Sequence, residues 1–254
     1  MDLNYKSYGQ GDPIIILHGL FGTLDNWQTI AKKLAEEYSV FTVDQRNHGR
    51  SFHDPEMNYK IMAEDLQLFL EKQWIHKAVI LGHSMGGKTA MQFALDFPEM
   101  VEKLIVIDIG PFSNKGGHEL IFEALLSIDV EKIKTRKDAE DFLHDKVPGF
   151  AVRQFLLKNL SRNKEGQYYW KMNLPVLYEH YDEILAKVDA VEPFDGKTLF
   201  IRGGASNYIS EEEFPSFKNI FPDSQLQTIE NAGHWVHSDQ PNQLLKTTLN
   251  FLKN

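Results

Sequence analysis

The chain has 254 residues, no cysteine, and 36 acidic against 27 basic side chains, for a formal charge of −9. That length fits one large α/β domain or a core with an inserted subdomain, and the acid excess argues against binding nucleic-acid backbone, whose affinity comes from clustered Lys and Arg. Without cysteine there is no disulfide framework, thiolate nucleophile or cysteine-ligated zinc, and 42% apolar with 25% charged residues describes an ordinary globular chain.

No apolar run approaches the ~20 residues of a membrane span, and MDLNYKSYGQGD lacks the apolar core of a signal peptide, so a soluble, cytoplasmic protein is expected. In chain order, the first strong signal is the strand-like run Ile14–Leu17, followed by Leu17-His18-Gly19-Leu20-Phe21-Gly22. The Leu20 amide of that loop can donate to a developing oxyanion, with His18 supporting the loop and Phe21 at the substrate pocket. Trp27–Tyr38 follows as an amphipathic helix led by a capping-box-like Asp25 and Gln28. Val40–Val43 reads as a second strand, after which Asp44 braces the Asp44–Ser51 loop and His48 packs within it. Ile61–Trp74 places Met62, Leu66, Phe69 and Leu70 on one helical stripe.

The strand Ala78–Leu81 runs into Gly82-His83-Ser84-Met85-Gly86 and then the helix Lys88–Phe97. Gly-x-Ser-x-Gly between a strand and a helix predicts a sharp turn that strains the serine backbone and projects the Ser84 hydroxyl above the sheet. The Met85 amide, at the helix N-terminus, becomes the second oxyanion donor. Leu104–Ile107 is the next strand and ends in Asp108. Residues 113–192 then read as helices (Leu120–Ile128, Thr135–Leu143, Val152–Leu160, Pro175–Leu185) without a convincing strand, as an inserted helical cap between core segments 1–112 and 193–254. Strands Leu199–Ile201 and Gln225–Ile229 follow, then Asn231-Ala232-Gly233-His234-Trp235 and a C-terminal helix through Leu244, Leu249 and Leu252. Strand–helix alternation implies a mostly parallel central sheet flanked by helices, with apolar strands buried on both faces. Of ten histidines, His234 sits at the carboxyl edge of that sheet, as Ser84 does, and is the candidate base. His237 points elsewhere, and His118, His144 and His180 are surface or packing residues.

These motifs, with "DQRNHGRS" and "IDIGP", resemble the α/β-hydrolase superfamily over nearly the whole chain, and more narrowly the YbfF-type esterases and their eukaryotic abhydrolase relatives. In most of that superfamily the triad acid follows the strand after the cap, where this chain has Ile201-Arg202-Gly203-Gly204-Ala205-Ser206-Asn207. Asn207 carries no charge to balance an imidazolium. Asp108 is the substitute, on a strand that the family's sheet order sets beside the nucleophile strand, and the YbfF-type resemblance implies the same position. Glu211 is the other carboxylate in question.

The reading is therefore a serine hydrolase in which Ser84 attacks, His234 shuttles the proton and Asp108 orients it, and the resemblance implies short- or medium-chain acyl esters, thioesters included, as its substrates. No metal or organic cofactor is required, the sequence leaves the oligomeric state open, and the partner is a small-molecule acyl ester or thioester. Trp235 and the aromatics Phe150, Phe155, Tyr168, Tyr169 and Trp170 are expected to wall an apolar acyl pocket or pack the cap, and Asn207 to border the pocket. The alternatives are an acyl-CoA thioesterase, a carbon–carbon hydrolase or lyase on the same residues, and a non-catalytic ligand receptor.

Overall fold

The apolar runs become the middle of a seven-stranded sheet in the computed structural model, which describes residues 2–254. The core elements are β1 (Tyr5–Tyr8), β2 (Pro13–Leu17), α1 (Gln28–Leu34), β3 (Ser39–Val43), α2 (Tyr59–Lys72), β4 (Ala78–His83), α3 (Met85–Asp96) and β5 (Val101–Ile107). Between β5 and the next core strand lie α4 (Glu119–Leu126), α5 (Arg136–His144), α6 (Phe150–Leu157), β6 (Leu160–Arg162), β7 (Tyr168–Trp170), α7 (Leu174–Glu179) and α8 (Tyr181–Leu185). The chain closes with β8 (Thr198–Gly203), α9 (Phe214–Phe217), β9 (Ser224–Ile229), α10 (Val236–Asp239) and α11 (Pro241–Lys253). Strand order is β1-β3-β2-β4-β5-β8-β9, parallel throughout except for β1 against β3.

Period-two geometry explains the unbroken apolar strands. Ile14 and Ile16 pack into one core with Ile30 and Leu34 of α1 and Leu244 and Phe251 of α11. Ile15 and Leu17 point the other way, onto Leu66 and Phe69 of α2 and Met91 and Phe93 of α3. The sequence misses β1, because YKSY is a polar edge strand with three exposed residues and no apolar period. The first helix also begins differently. A short 3₁₀ turn, Leu24–Trp27, precedes α1, and Asn26 Oδ1 accepts from the Thr23 amide at 2.7 Å. Asp25 lies inside that turn and pairs outward with Lys6 instead of capping the helix.

Residues 113–192 form a layer over the carboxyl end of the sheet. Phe122, Leu125, Leu156 and Leu177 pack there against Leu20, Phe21 and Met85. Contrary to the helix-only expectation, β6 and β7 make an antiparallel hairpin whose second strand is Tyr168–Trp170, too short for any periodic signal. The stretch Pro175–Leu185 breaks into α7 and α8 at His180, whose ring meets the Pro55 carbonyl at 2.8 Å. Both roots of the layer converge on one side chain. Lys88 of α3 is 1% exposed, and its ammonium donates to the carbonyls of Phe112 at the entry and of Leu185 and Ala186 at the exit. Burial lowers its pKa to about 7.

Candidate active site

Ser84 sits between β4 and α3 with φ 52° and ψ −121°, a conformation that costs an L-residue energy and persists only when its surroundings impose it. The glycines explain how it is imposed. A Cβ on Gly82 would fall 2.1 Å from the Gly86 carbonyl oxygen, and one on Gly86 would fall 2.5 Å from the His18 oxygen. The Ser84 amide donates to Ile107 O at 3.0 Å, so the turn is also tied to β5.

Register brings the other residues in. His83 pairs with Ile107, and Ile107 with Ile201, so β4, β5 and β8 end at one level. The Asp108 amide then donates to Ile201 O at 2.7 Å, and φ 52° turns its side chain off the strand. His234 Nδ1 is 2.8 Å from Asp108 Oδ2, and His234 Nε2 is 3.0 Å from Ser84 Oγ. The carboxylate is fully buried and accepts as well from the Gly203 amide at 2.9 Å and from the Ser206 hydroxyl. Its two oxygens therefore take three hydrogen bonds, from Gly203, Ser206 and His234. Asn207 is exposed and borders neither cavity at Ser84, because the loop after β8 turns Ser206 inward. Glu211 pairs with Arg202 at 3.3 Å at the surface. Asp44 braces its loop, accepting from the amides of Leu24 and Arg50.

The loop after β2 lies beside Ser84. His18 Nε2 accepts from the Gln45 amide at 3.1 Å, which leaves the proton on Nδ1 to donate to Gly19 O at 2.8 Å. The ring thus bolts the loop in place, and burial lowers its pKa to about 4. Among the described residues, the amides of Leu20 and Met85 enter no loop, turn or cap hydrogen bond, so both remain free to donate. No group of three or more His, Asp or Glu among these residues is arranged to hold a metal ion.

Two cavities meet at Ser84. The larger, of about 210 Å³, is walled by Phe21, Ile121, Val152, Phe155, Leu156 and Trp235. The smaller, of about 20 Å³, lies against Met85, Ile109, Tyr181, Ile184 and Tyr208. Phe21 and Trp235 thus border the site, whereas Phe150 and Tyr169 face solvent at 67% and 43% exposure. Tyr168 and Trp170 pack in the overlying layer rather than the cavity.

Several site residues escaped the sequence. The ring of Tyr208 stacks on His234 at 3.8 Å and 16°. His83 Nε2 donates to the His234 carbonyl at 2.8 Å, clamping the base loop to the nucleophile strand. His118, expected as a surface or packing residue, borders both cavities. Its Nδ1 meets the Tyr181 hydroxyl at 2.8 Å. His237 stacks on Trp27 at 4.5 Å and lines the larger cavity. Burial, then the neighbouring His234, lowers the pKa of His83, His118 and His237, to about 4 for His237. For Tyr208, His83 and His237 the only signal was adjacency to the motifs, and His118 had none.

Comparison with known proteins agrees with this architecture. The family model described as the α/β hydrolase fold matches residues 12–241. The chain is 40% identical over 247 residues to the sn-1-specific diacylglycerol lipase ABHD11 of Mus musculus, covering 94% of this chain and 80% of that one. It is 37% identical over 241 residues to esterase YbfF of Escherichia coli K12, covering 94% and 92%. Among solved structures, one titled "Marine microorganism esterase" superposes with a TM-score of 0.96 at 42% identity, covering 98% and 99%. The chain belongs to the α/β-hydrolase family, in the branch of the YbfF-type esterases.

Proposed function

We propose that the chain is a serine hydrolase of carboxylic esters working through Ser84, His234 and Asp108. The observation that carries this reading is the single imidazole standing 3.0 Å from Ser84 Oγ on one side and 2.8 Å from Asp108 Oδ2 on the other. Ser84 Oγ attacks the ester carbon as its proton passes to His234 Nε2, and the amides of Leu20 and Met85 receive the oxyanion. Collapse breaks the carbon–oxygen bond to the alcohol, which takes the proton from Nε2. Water then attacks the acyl-serine, giving one proton to His234, and Ser84 leaves with that proton as the carboxylic acid is released. Asp108 keeps the Nδ1 proton in place and offsets the imidazolium charge. The 113–192 layer acts as the cap that shapes the pocket.

Neutral esters fit better than acyl-CoA, because the larger cavity is walled by apolar and aromatic side chains and a net charge of −9 repels an anion. The test pairs stoichiometric fluorophosphonate labelling with turnover of a p-nitrophenyl ester. Ser84→Ala is expected to abolish labelling and to lower kcat about 10⁶-fold. A Ser84→Ala protein that still turns over the ester at the native rate would show that another group carries the reaction.

A further inference from the structure

The two cavities at Ser84 differ in which part of the proposed machinery each one touches. Ser84, Leu20 and His118 border both. His234 borders the larger cavity and not the smaller, together with Trp235. Met85, whose amide is one of the two oxyanion donors, borders the smaller. Tyr208, which covers one face of the His234 ring, also lines the smaller cavity and not the larger.

A group that protonates the leaving alkoxide must come within about 2.6–3.2 Å of its oxygen. The alkyl chain beyond that oxygen therefore continues into the space that the imidazole borders. The acyl carbon stays bonded to Ser84 through both steps, and the water of the second step has to reach the same Nε2 through the space the alcohol vacates. An acyl chain lying in that space would block it. Resting on the serine-hydrolase reading above, we propose that the acyl group seats in the smaller cavity and the leaving alcohol in the larger, so that the substrates are short-acyl esters of bulky apolar alcohols. This reverses the expectation that the aromatics around Trp235 hold the acyl chain.

The wall of the smaller cavity is tied down along its backbone. Its wall residues Tyr181 and Ile184 are 6% and 8% exposed. The Ile184 carbonyl accepts from Tyr59 at 2.5 Å, and the next two carbonyls, of Leu185 and Ala186, accept from the Lys88 ammonium. A close-packed wall whose backbone is tied at three successive residues cannot retreat for a longer chain. Ile184 is thus a specificity-determining residue for acyl length, and Phe155 for alcohol size.

Two ester series measured as kcat/KM on the wild-type protein test the assignment. One lengthens the acyl group from acetyl through butanoyl to octanoyl on ethanol, and the other lengthens the alcohol from ethyl through butyl to octyl on acetate. The expected result is a drop of about tenfold or more from butanoyl to octanoyl, with the octyl acetate equal to or better than the ethyl. Ile184→Ala, or the milder Ile184→Val if the first does not fold, raises the octanoyl-to-butanoyl ratio. Phe155→Ala lowers the octyl-to-ethyl ratio. Acyl length tolerated at least as well as alcohol length overturns the assignment. If Ser84→Ala is inert at the same time, only the seating has failed, whereas an active Ser84→Ala protein removes the reading beneath it.

Discussion

The carboxyl edge of the sheet and the layer that covers it hold their residues by different means. At the edge, consecutive backbone hydrogen bonds from Ser84 to Ile107 and from Asp108 to Ile201 set the strand ends level, and positive φ at Ser84 and Asp108 aims both side chains at one imidazole. The layer rests on apolar packing and on scattered single ties, among them Lys88 to its two roots, Tyr59 to Ile184, Asn159 to Phe21 O, His180 to Pro55 O and the Asn173 amide to Asn47 O. Ladder hydrogen bonds repeat along every strand, so an atom on the edge has little freedom to drift. Packed side chains can be exchanged with volume kept, so the layer can change the shape of the cavities without moving the reacting atoms.

The comparison is broken most severely by Asp108→Asn, which keeps the size of the side chain but removes the charge that His234 faces. A fall in kcat of about 10⁴-fold is expected with the fold intact by circular dichroism. Near-native kcat in this variant would take the acid role away from Asp108.

Acid should loosen the edge next. Burial lowers the pKa of His18 to about 4 and that of His48 to about 3. Both rings are therefore neutral in the fold at a pH where the unfolded chain, titrating near 6.5, binds protons. Their stabilisation is complete above pH 6.5 and is lost as pH falls from there through 4 to 3, by about 1 kcal/mol per pH unit for each ring. Urea unfolding at pH 7, 6 and 5 measures it, and a midpoint that does not fall with acidification contradicts it.

The smallest effect sharpens the contrast from the other side. Lys88→Met leaves three part-buried carbonyls without their donor. A destabilisation of about 2 kcal/mol is expected. Limited proteolysis should then cut first within 113–192, while Ser84 in the uncut protein still takes up fluorophosphonate. Cutting first in the core would mean that Lys88 holds the sheet rather than the roots of the layer.

The fold was legible because its core signals are local. Buried parallel strands read as Ile- and Val-rich runs, and α2 and α11 carry a stripe at helical spacing. The elements missed have no such signal, β1 because its residues face solvent and the β6–β7 hairpin because three-residue strands have no measurable period. In the site, Ser84 was legible through Gly82 and Gly86, which are needed within four residues of one another. His234 was legible through its place between the last strand and the last helices. His118 was not, since what makes it a site residue is the fold of α8, which brings Tyr181 to its ring.

The amino-acid sequence alone determined the layered architecture and the strained serine turn, because a strand's burial pattern and the clash of a β-carbon with its own turn are settled within a few residues. Which carboxylate meets the imidazole, that Ser206 fills the place next to Asn207, that Tyr208 and His83 flank His234, and how the space around Ser84 divides were decided only by tertiary structure. Each of these depends on the register of β4, β5 and β8 and on contacts between residues 95 to 151 apart in the chain, and no local propensity encodes a contact of that kind.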